Sequence, residues 1–583
     1  MFPTSWSSYH KRGHTVADGK FMQALKFAAN EGLVTEPGDH LEVMPMSKNQ
    51  PQASQATILV ELASDVTLWH TPELEAFASI PVADHWENHK VTSRSFHLWL
   101  SRQFYSSKGS VPNAQALKDA LSVLGGKATF EGAEKNVFIR AARYQGAIYL
   151  DVGDSSWRAI EITATGWRIV QNPPVKFRRS SGMLALPIPV QNGSIAELKR
   201  FVNVGGEDNW ALLAAWVVMA LNPKGPYPVL VLHGEQGSAK STLARLLRCL
   251  VDPNKADLRS EPRNLHDLVI SASNGWIVAL DNLSHLPGWL SDGICRLATG
   301  GGFGTRTLYE NDEETLFRVQ RPVVINAIEE LAARGDLLDR AIVLYLPAIL
   351  PSARRDEGEF WQDFERSCPS ILGALLDGLV RALCDVDAVK LATLPRMADF
   401  ARWSVAAVPA LGVSPEFFLR AYDRNRNSAN SLTLEASSIT QPLYQLLRVK
   451  DWEGNATDLL EVLSSLVSDN TRKLREWPKN GRSLSGKLRR LAPNLRALGY
   501  AVDFDQTAGS GSSKIITIRK STDICDASDA GDGNVSVNEP PVDSRDAVVA
   551  TRYEDVSDAT QSRASQSVDS VAKSRGYLDE GEI

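Results

Sequence analysis

No stretch constrains the fold of this chain as sharply as Pro228 to Leu250, PVLVLHGEQGSAKSTLARLLRCL. Four apolar residues, Val229 to Leu232, read as a buried strand; it stops at Gly234, and a loop bearing Gly and Ser leads into Lys240, Ser241 and an amphipathic helix. A tight loop feeding a helix N-terminus turns several backbone N–H groups toward one point, where the helix dipole also favours negative charge. The spacing therefore predicts a phosphate-binding loop in which Gly234, Glu235, Gln236, Gly237, Ser238, Ala239, Lys240, Ser241 and Thr242 surround ATP. Lys240 reaches the β/γ-phosphates and the Ser241 hydroxyl sits on Mg²⁺. The usual pattern has glycine before the lysine. Here that residue is Ala239, so the position must adopt a conformation that a Cβ tolerates, with Gly237 supplying flexibility nearby. The alternative is an ordinary glycine-bearing strand-to-helix turn with a surface lysine.

Three further landmarks follow in order. In GWIVALDNLS, Ile277 to Leu280 form a buried-type run ending at Asp281, which places a carboxylate at a strand's C-terminal edge, beside the loop, where it holds Mg²⁺ through a water or else serves as a structural cap of a buried strand. The 41 residues from Lys240 to Asp281 leave room for one excursion of helix, strand and helix. Next to it stands Asn282, whose amide orients a water but does not take its proton. In RPVVINAIEE another apolar strand ends at Asn326, a contact for the γ-phosphate or the attacking water, or a simple strand-end turn. In GDLLDRAIVLYLP, Arg340 stands among apolar residues before a further strand, where an arginine costs burial energy unless it meets an anion. That anion is the ATP of a neighbouring subunit, or else Asp336 or Asp339 of its own chain.

The ordered set GEQGSAKS, VALDN, CRLATGGGFGTRTLYENDEE, VVINAIEE and LLDRAI resembles the ATPase core of superfamily 3 helicases within the AAA+ class, most of all the poxvirus-type primase-helicases of phages and mobile elements. The resemblance covers roughly residues 205–350. It implies Lys240 and Ser241 as phosphate and Mg²⁺ residues, Asp281 as the second Mg²⁺ partner, Asn326 as sensor and Arg340 as arginine finger. It also implies that LATGGGFGTRTLYENDEETLF forms a hairpin gripping DNA in a central channel, with Arg306 as a contact. Two positions depart from the pattern: Asn282 replaces an acidic residue, and the hairpin's centre, Glu310 to Glu314, is acidic and repels phosphates if it is the tip.

The rest of the chain divides by composition. With 583 residues, 43% hydrophobic and 23% charged, three or four soluble domains are expected. Five cysteines without CxxC pairing argue against a disulfide framework or a zinc site and suit a reducing cytoplasm; neither a signal peptide nor a membrane span is read. Residues 1–55 are irregular, with one helical candidate at FMQALKFAANEG. Residues 56–183 read as an α+β module, an antiparallel sheet with a helical flank. Its Trp157, Trp167, His97 and Trp99 form either a base-stacking platform or, as alternating aromatics usually do, core. The ATPase core spans 184–350, opened by a capping box at Ser194 and Glu197; a helical extension follows over 351–439.

From 440 to 520 three helices and a β-hairpin come in the order of a winged helix. Lys487, Arg489 and Arg490 lie on its third helix, and between Thr471 and Gly499 nine Lys/Arg oppose one Glu, the footprint of phosphate contact. The net charge of −6 hides this, because the tail from Ser521, predicted to be disordered, carries −9 and leaves +3 for residues 1–520. The expectation is thus a multidomain α/β and α+β chain: a β-rich N-terminal module, a parallel-sheet P-loop core of AAA+ type, a winged helix and a disordered tail. Its expected function is that of an ATP-driven DNA-handling motor, with DNA as partner and assembly as a ring such as a hexamer. The competing readings are a nucleotide-switched DNA-binding protein that never unwinds and, more remotely, a P-loop kinase.

Overall fold

The computed structural model describes residues 53–283, 286–306, 314–327, 335–506 and 514–520. The helical candidate near the N-terminus, the centre of the expected hairpin and the acidic tail lie outside the described residues.

The chain is a mixed α/β structure whose N-terminal part is rich in strands. Helix α1 (Gln55–Glu61), strands β1 (Thr67–His70), β2 (Ala76–Val82) and β3 (His85–Lys90), and helices α2 (Arg94–Lys108) and α3 (Ala114–Phe130) close around Leu59, Phe96, Leu100, Phe104, Leu117 and Leu124. Ser93 and Asn113 cap α2 and α3 by accepting the N–H of Phe96 and of Gln115. After β4 (Ala133–Glu134) and β5 (Val137–Phe138) comes the meander β6 (Ala141–Tyr144), β7 (Ala147–Asp151), β8 (Ala159–Thr163) and β9 (Gly166–Val170), then β10 (Lys176–Phe177). One antiparallel sheet was expected here, but the strands form two four-stranded sheets, β3-β2-β1-β4 with β1 and β4 parallel, and the antiparallel β6-β7-β8-β9, besides a parallel pair of β5 with β10. The meander buries Ile148, Leu150, Ile160 and Ile162 in the same apolar cluster as the helices of the following core.

That core is built on a fully parallel sheet of order β12-β15-β11-β16, comprising β11 (Val229–His233), β12 (Val278–Leu283), β15 (Val323–Ala327) and β16 (Ala341–Tyr345). Its strands are continuous apolar runs because helices cover both faces. Helix α4 (Gly206–Leu221) is buried on every side from Trp210 to Leu221, which explains its lack of a polar stripe; the Trp216 indole N–H donates to the Pro228 carbonyl at 2.7 Å. Helices α5 (Lys240–Val251), α6 (Leu265–Ser273) and α7 (Gly288–Thr299) follow, then the antiparallel pair β13 (Gly302–Arg306) and β14 (Glu314–Arg318) and the short α8 (Gly335–Leu338). The expected capping box does not form. Residues Ile195–Arg200 make a 3-10 turn without a side-chain cap, and the Ser370 hydroxyl takes over by accepting the Ser194 N–H and donating to Glu197. The cause is close packing: a Cβ at Gly193 would lie 1.9 Å from the Ser370 carbonyl oxygen.

Helices α9 (Glu357–Asp385), α10 (Ala398–Ala407) and α11 (Pro415–Glu435) pack around α4. By length and composition α9 could cross a bilayer, yet most of its apolar window is buried in this cluster, as in a core helix. The last described region has its own core and contains α12 (Thr440–Val449), β17 (Trp452–Gly454), α13 (Ala456–Ser465), α14 (Asp469–Lys473), α15 (Gly481–Ala497), β18 (Tyr500–Gln506) and β19 (Lys514–Lys520). The hairpin β18-β19 was expected from the sequence. A third strand, β17, joins it antiparallel, with Trp452 opposite Ile518.

Candidate functional site

The C-terminal edge of the parallel sheet concentrates the chemistry. After β11 the chain turns at Gly234, whose φ of 155° and position, 2.3 Å from the Leu346 carbonyl oxygen to an added Cβ, admit no side chain. Gly237 has φ 81°, and Ala239 sits in the left-handed region at φ 65° and ψ 30°. The residue standing in place of glycine therefore keeps the glycine-type backbone and bears its strain. Helix α5 begins immediately afterwards, so its first N–H groups face the loop.

Lys240 folds back on the loop, its ammonium donating to the carbonyls of Gly234 and Glu235 at 2.8 Å each. Desolvation pulls its pKa below the ordinary lysine range, against the opposing pull of the Asp281 carboxylate. The Ser241 hydroxyl donates to Asp281 at 2.9 and 3.1 Å, and the Asn326 amide N–H₂ donates to the Ser241 hydroxyl at 3.1 Å and to the same carboxylate. Asn326 is only 5% exposed, and its Oδ1 is buried without a hydrogen-bond partner among the described residues. Asp281 comes from β12, Asn326 from β15 and Ser241 from α5, all converging on one cleft of about 1010 Å³. All nine loop residues from Gly234 to Thr242 line it, with Asp281, Asn282 and Asn326. Two hard oxygen donors side by side, with an orphaned amide oxygen beside them, fit a divalent cation such as Mg²⁺.

Asn282 also takes a left-handed φ, 52°, where the β12 to β15 register shifts between Leu280 and Leu283; its side chain is exposed at the cleft. This local irregularity lets β12 present consecutive polar residues at the sheet edge. Sequence reasoning missed His233 and Tyr345, which close the cleft with their rings 6.2 Å apart, and the edge segment at Arg259. The Arg259 N–H donates to the Ala279 carbonyl and its carbonyl accepts the Asp281 N–H, steadying the carboxylate-bearing strand from outside. This bridge falls within the excursion foreseen between Lys240 and Asp281, but no apolar run announces it.

Arg340 is not in the cleft. It precedes β16 at the sheet's opposite edge, where its carbonyl accepts the Val229 N–H and its guanidinium donates to the Asp336 carbonyl at 2.6 Å. Neither aspartate offered as an intramolecular partner pairs with it through a carboxylate among the described residues; Asp339 instead meets Arg396 and Arg426. Arg306 ends β13 opposite Glu314, so the expected hairpin exists as a strand pair, while most of its acidic centre lies outside the described residues.

On α15 the three expected DNA contacts separate. Arg489 and Arg490 are exposed, Arg489 lying 4.3 Å over the Phe504 ring of β18. Lys487 is turned inward, donating to the Glu476 carbonyl and the Ser438 hydroxyl, and desolvation lowers its pKa. Helical phase accounts for the difference: Lys487 lies seven residues before the buried Asn494, on the same side of the helix, whereas Arg482, Arg489 and Arg496 recur every seven residues on the exposed face. That seven-residue spacing was the signal available in the sequence.

A family model for the actinomycete integrative conjugative element replication protein matches residues 195–427, and one for the C-terminal domain of such replication proteins matches residues 439–532; together they cover more than half of the chain. No curated protein matches. Two apo structures of the NrS-1 C-terminal region align at 12% identity, covering 80% of this chain and 100% or 99% of theirs, with TM-scores of 0.35 and 0.33. Nothing about this chain follows from so slight a likeness.

Proposed function

Because the chain belongs to the replication proteins of actinomycete integrative conjugative elements, DNA replication is its setting, and we propose that it acts there as a P-loop ATPase of the superfamily 3, AAA+ helicase type. It binds ATP in the cleft beside α5 and DNA through a C-terminal winged helix formed by α12, α13, α15 and the β17-β19-β18 sheet. The observation that carries the reading is the meeting of Lys240, Ser241, Asp281 and Asn326 from three separated segments in one cleft at a helix N-terminus.

The residues divide the work. Backbone N–H groups of the loop and of the first turn of α5 bind phosphate oxygens, and Lys240 exchanges the Gly234 and Glu235 carbonyls for the β/γ-phosphates. Ser241 and Asp281 are the groups that would hold Mg²⁺, which when bound neutralises charge on the transferring phosphoryl group. The Asn326 amide and Asn282 orient the attacking water. With an amide rather than a carboxylate at position 282, proton removal has no dedicated base there, so turnover is slow. Arg340 lies a strand's length from the loop, roughly 16 Å for the five residues of β11. Its guanidinium therefore acts on the nucleotide of a neighbouring subunit, which requires an oligomer and favours a ring.

The second reading, a nucleotide-switched DNA-binding protein that does not unwind, draws its support from Asn282. ATP turnover and unwinding of a forked duplex, with Lys240→Ala as control, separate the two. Turnover and unwinding that the control loses support the motor; turnover without unwinding supports the switch. A parent protein that neither binds nor hydrolyses ATP refutes both.

A further inference from the structure

Away from the nucleotide cleft, a second hollow of about 480 Å³ opens between the N-terminal sheet, the segment 178–182 and the core. Lys90, Arg178, Arg179, Lys255 and Arg259 line it with His89, and no carboxylate does. Some of this charge is already answered: Lys90 pairs with Glu75, and Arg179 grips Asp151. The rest is not. Among the described residues the Arg178 side chain donates to the Ser273 carbonyl and has no ion pair, feeling Glu75 only at longer range, and the side chains of Lys255 and Arg259 make no hydrogen bond or ion pair. Burial lowers the pKa of Arg178 against the opposing pull of the Glu75 carboxylate, so its charge is held there at an energetic cost.

Adjoining this hollow, and sharing Asn88 with it, is a smaller one of about 140 Å³ lined by Trp86, Trp157 and Phe177. Trp86 is 40% exposed, a large apolar ring left in solvent at the rim. Trp157 takes a left-handed φ of 54°, and the Arg179 guanidinium lies 4.1 Å over its ring. A β-type residue held in that conformation is strained, and the stacked guanidinium fixes the ring's plane. A basic hollow only partly neutralised, beside one exposed indole ring, is an arrangement that binds a single nucleic-acid strand, phosphates on the cations and a base on the ring.

We infer that the paired hollows at Lys255–Arg259 and Trp86–Trp157 form a second DNA site, which takes a segment of single-stranded DNA independently of the basic helix α15. This rests on the DNA-handling reading and not on the nucleotide reading. The strand's phosphates lie against Arg178, Lys255 and Arg259, and one or two bases stack at Trp86. Double-stranded DNA cannot present its bases to the rings, so the site prefers single strands.

The test uses the full chain and a fluorescein-labelled oligo(dT), read by anisotropy across a salt series, with an unlabelled hairpin duplex as competitor. The double variant Lys255→Gln/Arg259→Gln is expected to weaken binding about tenfold or more and to flatten the salt dependence by about 0.7 log unit per lost phosphate contact. Trp86→Ala is expected to weaken it about 5- to 100-fold while leaving the salt slope unchanged. Arg482→Gln/Arg489→Gln on α15 serves as the comparison, and unchanged melting curves establish that each variant folds. If the Lys255→Gln/Arg259→Gln and Trp86→Ala variants bind oligo(dT) like the parent while the α15 variant loses binding, the second site is refuted and the DNA-handling reading stands. A parent that binds neither oligonucleotide nor duplex refutes both.

Discussion

Asp252, just past the end of α5, joins the meander to the core. Its carboxylate is 0% exposed and accepts from Arg140 Nε at 3.0 Å and from the Trp276 N–H at 2.7 Å, with Arg248 Nη2 at 3.7 Å. Arg140 and Arg248 are themselves 0% and 1% exposed. Arg140 also donates to the carbonyls of Asp151 and Leu184 at 2.8 and 2.7 Å, so this network ties the meander to the C-terminal end of the helix that begins at Lys240. Asp252→Ala leaves two buried guanidinium groups without the carboxylate that contacts both, Asp257 acting on Arg248 only at longer range. Breaking a buried pair in this way costs about 3–5 kcal/mol. In a multidomain chain that cost is best read locally, because a single global transition is not expected. Amide exchange of peptides spanning 138–152 and 246–253 should lose about two to four orders of magnitude of protection. Asp252→Asn, which keeps an acceptor for the Trp276 N–H, should fall between the two. A loss below about fivefold, or about 1 kcal/mol, in both peptides would refute the argument that this carboxylate neutralises the two arginines.

Three other outcomes follow from the site. Ala239→Gly relieves a left-handed residue, at about 1–2 kcal/mol of strain against about 0.5–1 kcal/mol of added chain entropy, so exchange protection of the loop should rise slightly; the fall usual for Ala→Gly in a helix would contradict the strain. Arg340→Ala should leave ATP affinity within about twofold but lower turnover more than about tenfold, and equal loss of affinity would remove the case for action across subunits. Since desolvation lowers the Lys240 pKa and only the charged ammonium holds phosphate, ATP affinity should be full below that pKa and decline as pH rises through it. The alkaline limb should therefore begin below the ordinary lysine value near 10.4 and vanish in Lys240→Arg, as titrations between pH 7 and 10 would show.

Much of the core was legible because its signals are local. Val229 to Leu232, the run before Asp281 and the run before Asn326 are strands buried on both faces, and such strands announce themselves as apolar runs. The same rule hid β2, whose AFASIPV mixes small residues and Pro81 yet is buried from Phe77 to Ile80. The capping box failed because Ser370, 173 residues beyond Glu197, supplied a better hydrogen bond than the local one.

By itself, then, the order of residues determined the loop, the helix behind it and the types of side chain that end each strand, since chain neighbours fix backbone conformation and periodicity. Only tertiary structure decided the rest. It set Arg340 at the far edge of the sheet, turned Lys487 inward and left Arg482, Arg489 and Arg490 outside. It also brought Lys255 and Arg259 to face Lys90 and Arg178 across a hollow that no sequence window spans. Distances between segments far apart in the chain depend on which apolar faces are buried together, and that is a property of the packed whole.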